Sequence, residues 1–308
     1  MGKVALLFPG QGSQYVGMGQ DLADRYPEAA AIFATADEAL DEKLSVLCFE
    51  GPEEELRLTR NTQPAILTVS LAVFAVLRKR GLAFEAVAGH SLGEYSAVGA
   101  AGGLGLADLV RVVRLRGELM QQAVPVGVGA MTAVLGGSRE QVEQACQQAS
   151  TEGEVVVPAN FNSPEQTVIA GHATAVARAE ALLVEAGVRK MVRLPVSAPF
   201  HSPLMAPARE GLAPVLQKLP FADLAVPLYN NVDAAPVQRA SEVRDGLIRQ
   251  VDAPVRWVEL VQAMVAEGFD TFLEVGPGNV LCGLVRRIAP GVQTIPVGKV
   301  DQIEKLFA

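Results

Sequence analysis

Short runs of hydrophobic residues alternate along this chain with longer stretches in which hydrophobic residues recur every three to four positions. The short runs include "KVALLF" and "FEAVAG", and the longer stretches include residues 17–40 and "PAILTVSLAVFAVLRKRG". The short runs predict buried strands and the longer spacing predicts amphipathic helices. Strands that alternate with helices are typical of βαβ units, so we predict an α/β fold with a mostly parallel sheet.

The pattern changes between residues 126 and 196. It predicts strands and helices in the order β-α-β-β-α-β, at "AMTAVLG", a helix from Ser138, "EVVVPANF", "QTVIAG", "ATAVARAEALLVEAG" and "RKMVRLPV". This order is typical of the ferredoxin-like arrangement. We therefore predict a large domain made of residues 1–125 and 197–308, and a small ferredoxin-like subdomain, residues 126–196, inserted into it. In the large domain, further strands are predicted at "VPLYNNV" and "TFLEVGPG".

Composition excludes several classes of protein. The formal net charge of -8 argues against nucleic acid, whose phosphates need a basic face. The three cysteines are isolated and only three histidines could join them, so neither a metal site nor a disulfide framework is expected. The hydrophobic runs are too short for a signal peptide or a membrane span. We expect a cytoplasmic protein that acts as a monomer, without a membrane partner.

The first candidate for chemistry is "GHSLG", residues 89–93, which matches the pattern G-x-S-x-G. A predicted strand precedes it and a helix of small residues follows, as in the nucleophile elbow of an α/β-hydrolase-like core. Such a turn would expose Ser91 as a nucleophile and aim the backbone N–H of Leu92 at a developing oxyanion. The alternative is an ordinary serine in a glycine-rich turn.

A serine nucleophile needs a base, and His201 is the best candidate. It lies in the proline-rich loop "PVSAPFHSPLM", whereas His172 opens a helix and is interpreted as a surface residue. His90 directly precedes Ser91, so its side chain diverges from that of Ser91, and we interpret it as a hydrogen-bonded core histidine. No acidic residue stands out as a third member, which favours a dyad oriented by a backbone carbonyl or an amide side chain.

A single arginine interrupts the hydrophobic face of the stretch "ADLVRVVRLRGELMQQA". Arg116 falls in the middle of that face, while Arg111 and Arg114 are predicted on the solvated side. Burying an unpaired guanidinium is costly, so Arg116 needs a partner. A structural salt bridge or a side chain that reaches water would meet this need. The sharper hypothesis is that Arg116 binds a carboxylate of the substrate.

The glycine-rich loop "FPGQGSQYVGMG" follows the first strand and at first suggests a dinucleotide site. Gly10 and Gly12 would require a third glycine at position 15, where Tyr15 stands instead, and no P-loop lysine follows. The glycines still allow the backbone to approach a ligand closely. We therefore interpret the loop as half of an oxyanion hole, with the N–H of Gln11 as one donor.

Several motifs together resemble the malonyl-CoA:acyl-carrier-protein transacylase family in order and spacing. They are "FPGQGSQ", "TQPA", "GHSLGEYSA", "RLRGELM", "NFNSPEQTVIAG", "FHSPLM", "NNVDA", "PVRW" and "EVGPG". The resemblance runs from residue 3 almost to the C-terminus. It implies that Ser91 is malonylated, that His201 activates it and then the incoming thiol, and that Arg116 holds the malonyl carboxylate.

The resemblance also assigns supporting roles. It implies an oxyanion hole made by the backbone N–H groups of Gln11 and Leu92, and it implies that the backbone carbonyl of Gln250 orients the histidine. Gln63 and Asn160 would line the pocket. Phe200 stands before the histidine, where many bacterial members have a smaller residue, and its ring is expected to favour malonyl over methylmalonyl groups.

The implied partners are a coenzyme A thioester and an acyl carrier protein, with no cofactor. Carrier proteins are acidic, so docking needs a local basic surface, for which "VRKMVR" (188–193) and the pair Arg286 and Arg287 are candidates. Three alternatives stay open at this point: a serine thioesterase or esterase, a nucleotide-binding module that uses the opening loop, and the acyltransferase subunit of a malonate-decarboxylase or polyketide system.

Overall fold

The computed structural model describes residues 2–196 and 198–308, and two sheets organise it. The strands are β1 (Lys3–Phe8), β2 (Ala86–Gly89), β3 (Gly129–Leu135), β4 (Val156–Ser163), β5 (Gln166–His172), β6 (Lys190–Arg193), β7 (Leu228–Tyr229), β8 (Pro236–Val237), β9 (Phe269–Val275) and β10 (Gln293–Val297). The helices are α1 (Gln20–Arg25), α2 (Pro27–Leu40), α3 (Leu44–Glu50), α4 (Glu53–Arg57), α5 (Thr59–Lys79), α6 (Leu92–Ala100), α7 (Leu106–Gln122), α8 (Arg139–Ala149), α9 (Ala173–Glu185), α10 (Ala206–Lys218), α11 (Ala240–Arg249), α12 (Trp257–Ala266), α13 (Val280–Ile288) and α14 (Val300–Leu306), with a short 3₁₀ helix at Pro203–Met205.

The main sheet has six strands in the order β10-β9-β1-β2-β7-β8. Every pairing is parallel except that of β7 with β8. The predicted α/β fold with a mostly parallel sheet is therefore confirmed. Strand β1 lies at the centre, and the loops after β1, β2 and β7 meet at one edge of the sheet, where ligands bind in folds of this kind.

The small sheet, β3 to β6, is antiparallel throughout. Its strands lie in the order β4-β5-β3-β6, which is the ferredoxin-like order for four consecutive strands, and the predicted subdomain fold is confirmed. A bridge between Asn160 and Val255 joins it to the body of the protein. The exact domain boundaries stay a prediction, and residue 197, at the second boundary, lies outside the described residues.

Helix boundaries differ from the sequence-based ones at two places. The predicted helix at 17–40 is two helices, because Tyr26, which precedes Pro27, has an extended backbone with φ -124° and ψ 116°. Helix α5 begins at Thr59, five residues before Pro64, and is buried along almost its whole length. The sequence also predicted too long a strand around β7, where the chain turns at Asn230, and it missed β8 and β10.

Helix α5 fills the core between the main sheet and helices α2 and α7. A second apolar layer covers the opposite face of the sheet, where α12 and α13 pack against β9. No helix among the described residues is long and apolar enough to cross a membrane.

Candidate active site

Ser91 lies in a sharp turn between β2 and α6, as the G-x-S-x-G pattern predicts. Its backbone has φ 51° and ψ -106°, a conformation that costs a serine about 1–3 kcal/mol. A Cβ on Gly89 would lie 1.9 Å from the carbonyl carbon of Gly93, and a Cβ on Gly93 would lie 2.0 Å from the carbonyl oxygen of Phe8. Both glycines are therefore required for α6 to start so close to β1 and β2.

His201 is hydrogen bonded to Ser91, with 2.7 Å between Nε2 and Oγ. Its other ring nitrogen, Nδ1, lies 2.9 Å from the carbonyl oxygen of Gln250 and 3.2 Å from that of Ala253. Carbonyl oxygens only accept hydrogen bonds, so Nδ1 carries the proton and Nε2 is free to accept one from Ser91. Burial and the charge of Arg116 lower the pKa of His201 to about 3, so the ring is neutral near pH 7.

The other two histidines occupy different surroundings. His90 Nε2 donates a hydrogen bond to Asn162 Oδ1, and the ring packs near that of Trp257, as expected of a core histidine, although it also lines the site cavity. His172 was predicted to be a surface residue and is half-buried. Its Nδ1 accepts the backbone N–H of Val155, because the start of α9 is held against β4.

Arg116 is buried, with only 2% of its surface exposed, which excludes the alternative that it reaches water. Its Nη1 donates to Gln63, and its Nη2 donates to Gln250 at 2.8 Å and to Ser91 Oγ at 3.1 Å. Arg116 belongs to none of the ion pairs among the described residues. Neutral amide oxygens and the face of the Tyr95 ring surround the charge instead.

Arg114, two residues before Arg116 and therefore on the opposite side of the same helix, shows the opposite arrangement. Its guanidinium donates to Asn61 and to Glu42, and only 11% of its side chain is exposed. The prediction that it lies on a solvated face is therefore wrong, because the loop before α3 brings Glu42 over it. Arg111 is exposed, as predicted, and contacts Ala39 and Asp108.

Eight of the nine predicted site residues line one cavity of about 110 Å³. They are Gln11, Gln63, Ser91, Leu92, Arg116, Asn160, Phe200 and His201. Gln250 lies behind the cavity wall and is fully buried. Met131 of β3 and Leu194, which follows β6, close the cavity from the side of the small sheet. The guanidinium of Arg116 makes one end of the cavity polar and positively charged, whereas Met131, Leu194 and Phe200 make its walls apolar.

Two backbone donors face this cavity without a partner. Within the described part of the chain, no acceptor takes the N–H of Gln11 or that of Leu92. Leu92 is the first residue of α6, so the positive end of the helix dipole adds to its N–H. Two unpaired N–H groups beside a serine can stabilise an oxyanion.

The sequence analysis missed two buried polar residues behind the nucleophile, Glu94 and Asn231. Both are fully buried; the side chain of Asn231 is hydrogen bonded to the turn that carries Ser91, and the carboxylate of Glu94 is hydrogen bonded to the backbone N–H of Asn231. The sequence does contain a signal for each residue. Glu94 is the one charged residue in a stretch of small, apolar residues three positions after Ser91, and Asn231 belongs to the quoted motif "NNVDA".

The chain matches a family of known enzymes. The family model described as "Acyl transferase domain" matches residues 5–300, so the chain belongs to the acyl transferase family. It is 47% identical to the malonyl CoA-acyl carrier protein transacylase of Bacillus subtilis, over 99% of this chain and 96% of that protein. The family resemblance seen in the motifs is thereby confirmed.

Solved structures agree with this assignment. The acyl carrier protein S-malonyltransferase of Vibrio cholerae is 46% identical, with a TM-score of 0.96 and 99% of each chain covered. A malonyl-transacylase solved in complex with its type II PKS acyl-carrier protein is 43% identical, with a TM-score of 0.96 and 98% of each chain covered. Within the described residues, no cluster of three or more His, Cys, Asp or Glu side chains could hold a metal ion.

Proposed function

We propose that this protein is a malonyl transferase of fatty acid synthesis. It transfers the malonyl group of malonyl-CoA to the phosphopantetheine thiol of an acyl carrier protein, through a malonyl ester on Ser91. The observation that carries the proposal is a buried guanidinium without a carboxylate partner, 3.1 Å from a serine Oγ that is also hydrogen bonded to a histidine. The names of the relatives support the same reaction.

In the first half-reaction, His201 Nε2 takes the proton of Ser91 while Oγ attacks the thioester carbonyl carbon. The oxyanion of the tetrahedral intermediate accepts hydrogen bonds from the N–H groups of Gln11 and Leu92. Loss of one such donor typically lowers kcat by about 10²–10³-fold. The C–S bond then breaks, and His201 returns the proton to the sulfur of coenzyme A.

In the second half-reaction, His201 takes the proton of the carrier thiol, and the thiolate attacks the malonyl ester. The same oxyanion forms, the bond to Ser91 Oγ breaks, and Oγ regains its proton. His201 serves as the base in both directions because its ring is neutral and the unprotonated Nε2 faces Ser91 Oγ. The carbonyl of Gln250 keeps the proton on Nδ1, so the dyad needs no acidic third member.

Arg116 selects an acyl group that carries its own carboxylate. We propose that the malonyl carboxylate takes over the Nη2 hydrogen bond that Ser91 Oγ accepts in this structure. Gln63 and Gln250 hold the guanidinium from behind and leave one side facing the cavity. A charge-assisted bond inside a buried pocket is roughly twice as strong as a neutral one. Asn160, which lines the same cavity, is proposed to contact the bound acyl group.

The partners and location stay predictions. For the carrier protein, Arg286 and Arg287 at the end of α13 are exposed, as are Arg189 and Lys190. Arg193 is a weaker candidate, because Glu180 already binds its guanidinium through two hydrogen bonds. The proposal uses malonyl-CoA and the carrier as substrates and adds no cofactor, and it keeps the expectations of a monomer and of a cytoplasmic location.

Intact-mass spectrometry tests the proposal directly. Mixing the protein with malonyl-CoA should add the mass of one malonyl group, and adding holo acyl carrier protein should move that mass to the carrier. Release of free malonate without carrier would favour a thioesterase instead. A carrier from a type II polyketide system, tested in parallel, distinguishes a role in fatty acid synthesis from a polyketide role.

A further inference from the structure

Asn231 bridges the two sides of the strained turn that carries the nucleophile. Its Oδ1 accepts the backbone N–H of Ser91 at 2.7 Å, and its Nδ2 donates to the carbonyl oxygen of Gly89 at 2.7 Å. The residue follows β7, the strand next to β2, and is fully buried. It does not line the cavity, so its two side-chain hydrogen bonds to the turn act on Ser91 from behind.

Glu94 connects Asn231 to the residues around the substrate site. Its Oε2 accepts the backbone N–H of Asn231 at 3.0 Å and the side-chain amide Nε2 of Gln250 at 2.9 Å. The same amide group donates to the carbonyl oxygen of Ser91 at 2.9 Å, and its Oε1 accepts from Arg116. One carboxylate is therefore linked by short hydrogen bonds both to the turn and to the cation.

We infer that Asn231 and Glu94 are positioning residues for acyl transfer. Asn231 holds Ser91 Oγ in line with His201, and Glu94 fixes Asn231 and, through the Gln250 side chain, the guanidinium of Arg116. The inference rests on the proposed function. Glu94 takes no part in the chemical steps of the proposed reaction, since its carboxylate neither lines the cavity nor exchanges a proton with the substrate, and its inferred role is only to position other residues.

The arrangement also explains how Arg116 can be buried without a direct ion pair. The amide of Gln250 stands between the guanidinium and Glu94, accepting from the first and donating to the second. A carboxylate in direct contact would occupy the donors that the substrate carboxylate needs. Placing the negative charge one amide away stabilises the guanidinium and leaves its cavity side available.

The test compares Asn231→Ala, Glu94→Ala and Glu94→Gln with the wild type, using the rate of malonyl mass gain and steady-state transfer at pH 8. A displacement of reacting atoms by about 1 Å can cost 10²-fold, so we expect Asn231→Ala to lower kcat by about 10–100-fold. Its KM for malonyl-CoA should stay within twofold, and acetyl transfer should fall by the same factor.

Glu94→Ala should lower kcat and also raise the KM for malonyl-CoA, because Gln250 no longer holds Arg116 in place. Glu94→Gln keeps an acceptor oxygen for both hydrogen bonds and should recover most of kcat. The matched control is Ser96→Ala on the same helix, since Ser96 is fully buried and its hydroxyl has no partner among the described residues. This control should transfer malonyl at the wild-type rate.

Circular dichroism and thermal unfolding give the folded fraction by which each rate is divided. Should Asn231→Ala not fold, Asn231→Asp replaces it, because its Oδ1 still accepts the Ser91 N–H while the donor to Gly89 is lost. An unchanged kcat per folded protein in the Asn231 variant would overturn the inference and leave the proposed function standing. A wild-type protein that gains no malonyl mass would overturn both.

Discussion

The main sheet and the small sheet contribute different things to the site. Gln11, Ser91 and Asn231 follow three neighbouring parallel strands, and Arg116 projects from a helix packed in the same body. The small sheet supplies Met131, Leu194 and Asn160, which form a wall of the cavity. Every group proposed to react, and the guanidinium proposed to bind the substrate carboxylate, therefore belongs to the parallel-sheet body.

The difference follows from the geometry of the two sheets. Parallel strands gather their carboxyl ends, and the helix N-termini that follow them, at one edge, where unpaired N–H groups can face a ligand. Antiparallel neighbours alternate their ends, so the small sheet presents mainly side chains. The comparison predicts that removing a reacting group of the body abolishes chemistry, whereas changing a residue that only lines the cavity or binds the acyl group alters the choice of substrate.

The largest effect is expected for Ser91→Ala. Removing the nucleophile should abolish the mass gain of one malonyl group on mixing with malonyl-CoA, because the hydroxyl that His201 Nε2 activates is lost. Intact-mass spectrometry measures it, with the Ser96→Ala variant as control. Persistent labelling of the Ser91→Ala protein would show that the nucleophile lies elsewhere.

Arg116→Ala should lower malonyl transfer by about 100-fold or more while changing acetyl transfer much less, since the malonyl thioester carries a free carboxylate and the acetyl thioester carries none. Parallel assays with malonyl-CoA and acetyl-CoA give the ratio. Arg114→Ala on the same helix is the matched control and should leave both rates near those of the wild type. Equal losses for the two substrates would contradict a carboxylate-binding role.

Glu94 in the body and Glu180 in the small subdomain should make the free energy of unfolding depend on pH in opposite directions. Burial raises the pKa of Glu94 from 4.5 to about 7 despite the hydrogen bonds from Gln250 and Asn231. Between these two pKa values the folded protein keeps a proton on Glu94 that the unfolded chain has released. The contribution of Glu94 to the free energy of unfolding is therefore fully present at low pH, and it falls by about 3 kcal/mol as the pH rises through about 7.

Glu180 of the small subdomain behaves in the reverse way. Burial favours its neutral form, but hydrogen bonds from Arg193 and Thr132 outweigh burial and lower its pKa. Its contribution is present above the ordinary pKa and lost on acidification. Denaturant unfolding of Glu94→Gln and Glu180→Gln from pH 4 to pH 8 should show opposite trends relative to the wild type, with exposed Glu54→Gln following neither. Parallel trends would contradict the assignment.

Phe200→Ser should give the smallest change, a shift of substrate preference towards methylmalonyl-CoA by roughly tenfold. The ring lines the cavity beside His201, and steric selection against one methyl group is worth only ~1–3 kcal/mol. The ratio of kcat/KM for methylmalonyl-CoA and malonyl-CoA measures it. If that ratio matches the wild-type value, the ring does not select the acyl group.

Much of this arrangement could be predicted from the sequence because local patterns encode it. The glycines around Ser91 and the hydrophobic face around Arg116 are short-range signals, and both residues lie where those signals predict. The ferredoxin-like subdomain was also predictable, since the order of its strands and helices determines few topologies. Element ends were less predictable, as at Tyr26, because a single residue before proline decides them.

Long-range contacts escaped prediction. Asn231 lies 140 positions from Ser91, and nothing local to "NNVDA" says which backbone groups its side chain will bridge. The environment of Arg114 was predicted wrongly for the same reason, because Glu42 reaches it from a loop 72 positions away. Helical periodicity reports one face of one helix and says nothing about which other segment covers the opposite face.

The hydrogen bond from His201 Nδ1 to the carbonyl of Gln250 has a consequence for how such a protein is studied. That acceptor, like the two N–H donors of Gln11 and Leu92, belongs to the main chain and survives every side-chain substitution. Replacing Gln250 by alanine would measure only the loss of its side-chain amide, because the backbone carbonyl that His201 contacts is still present. Replacing single peptide bonds by esters, through chemical ligation, would make these contributions measurable.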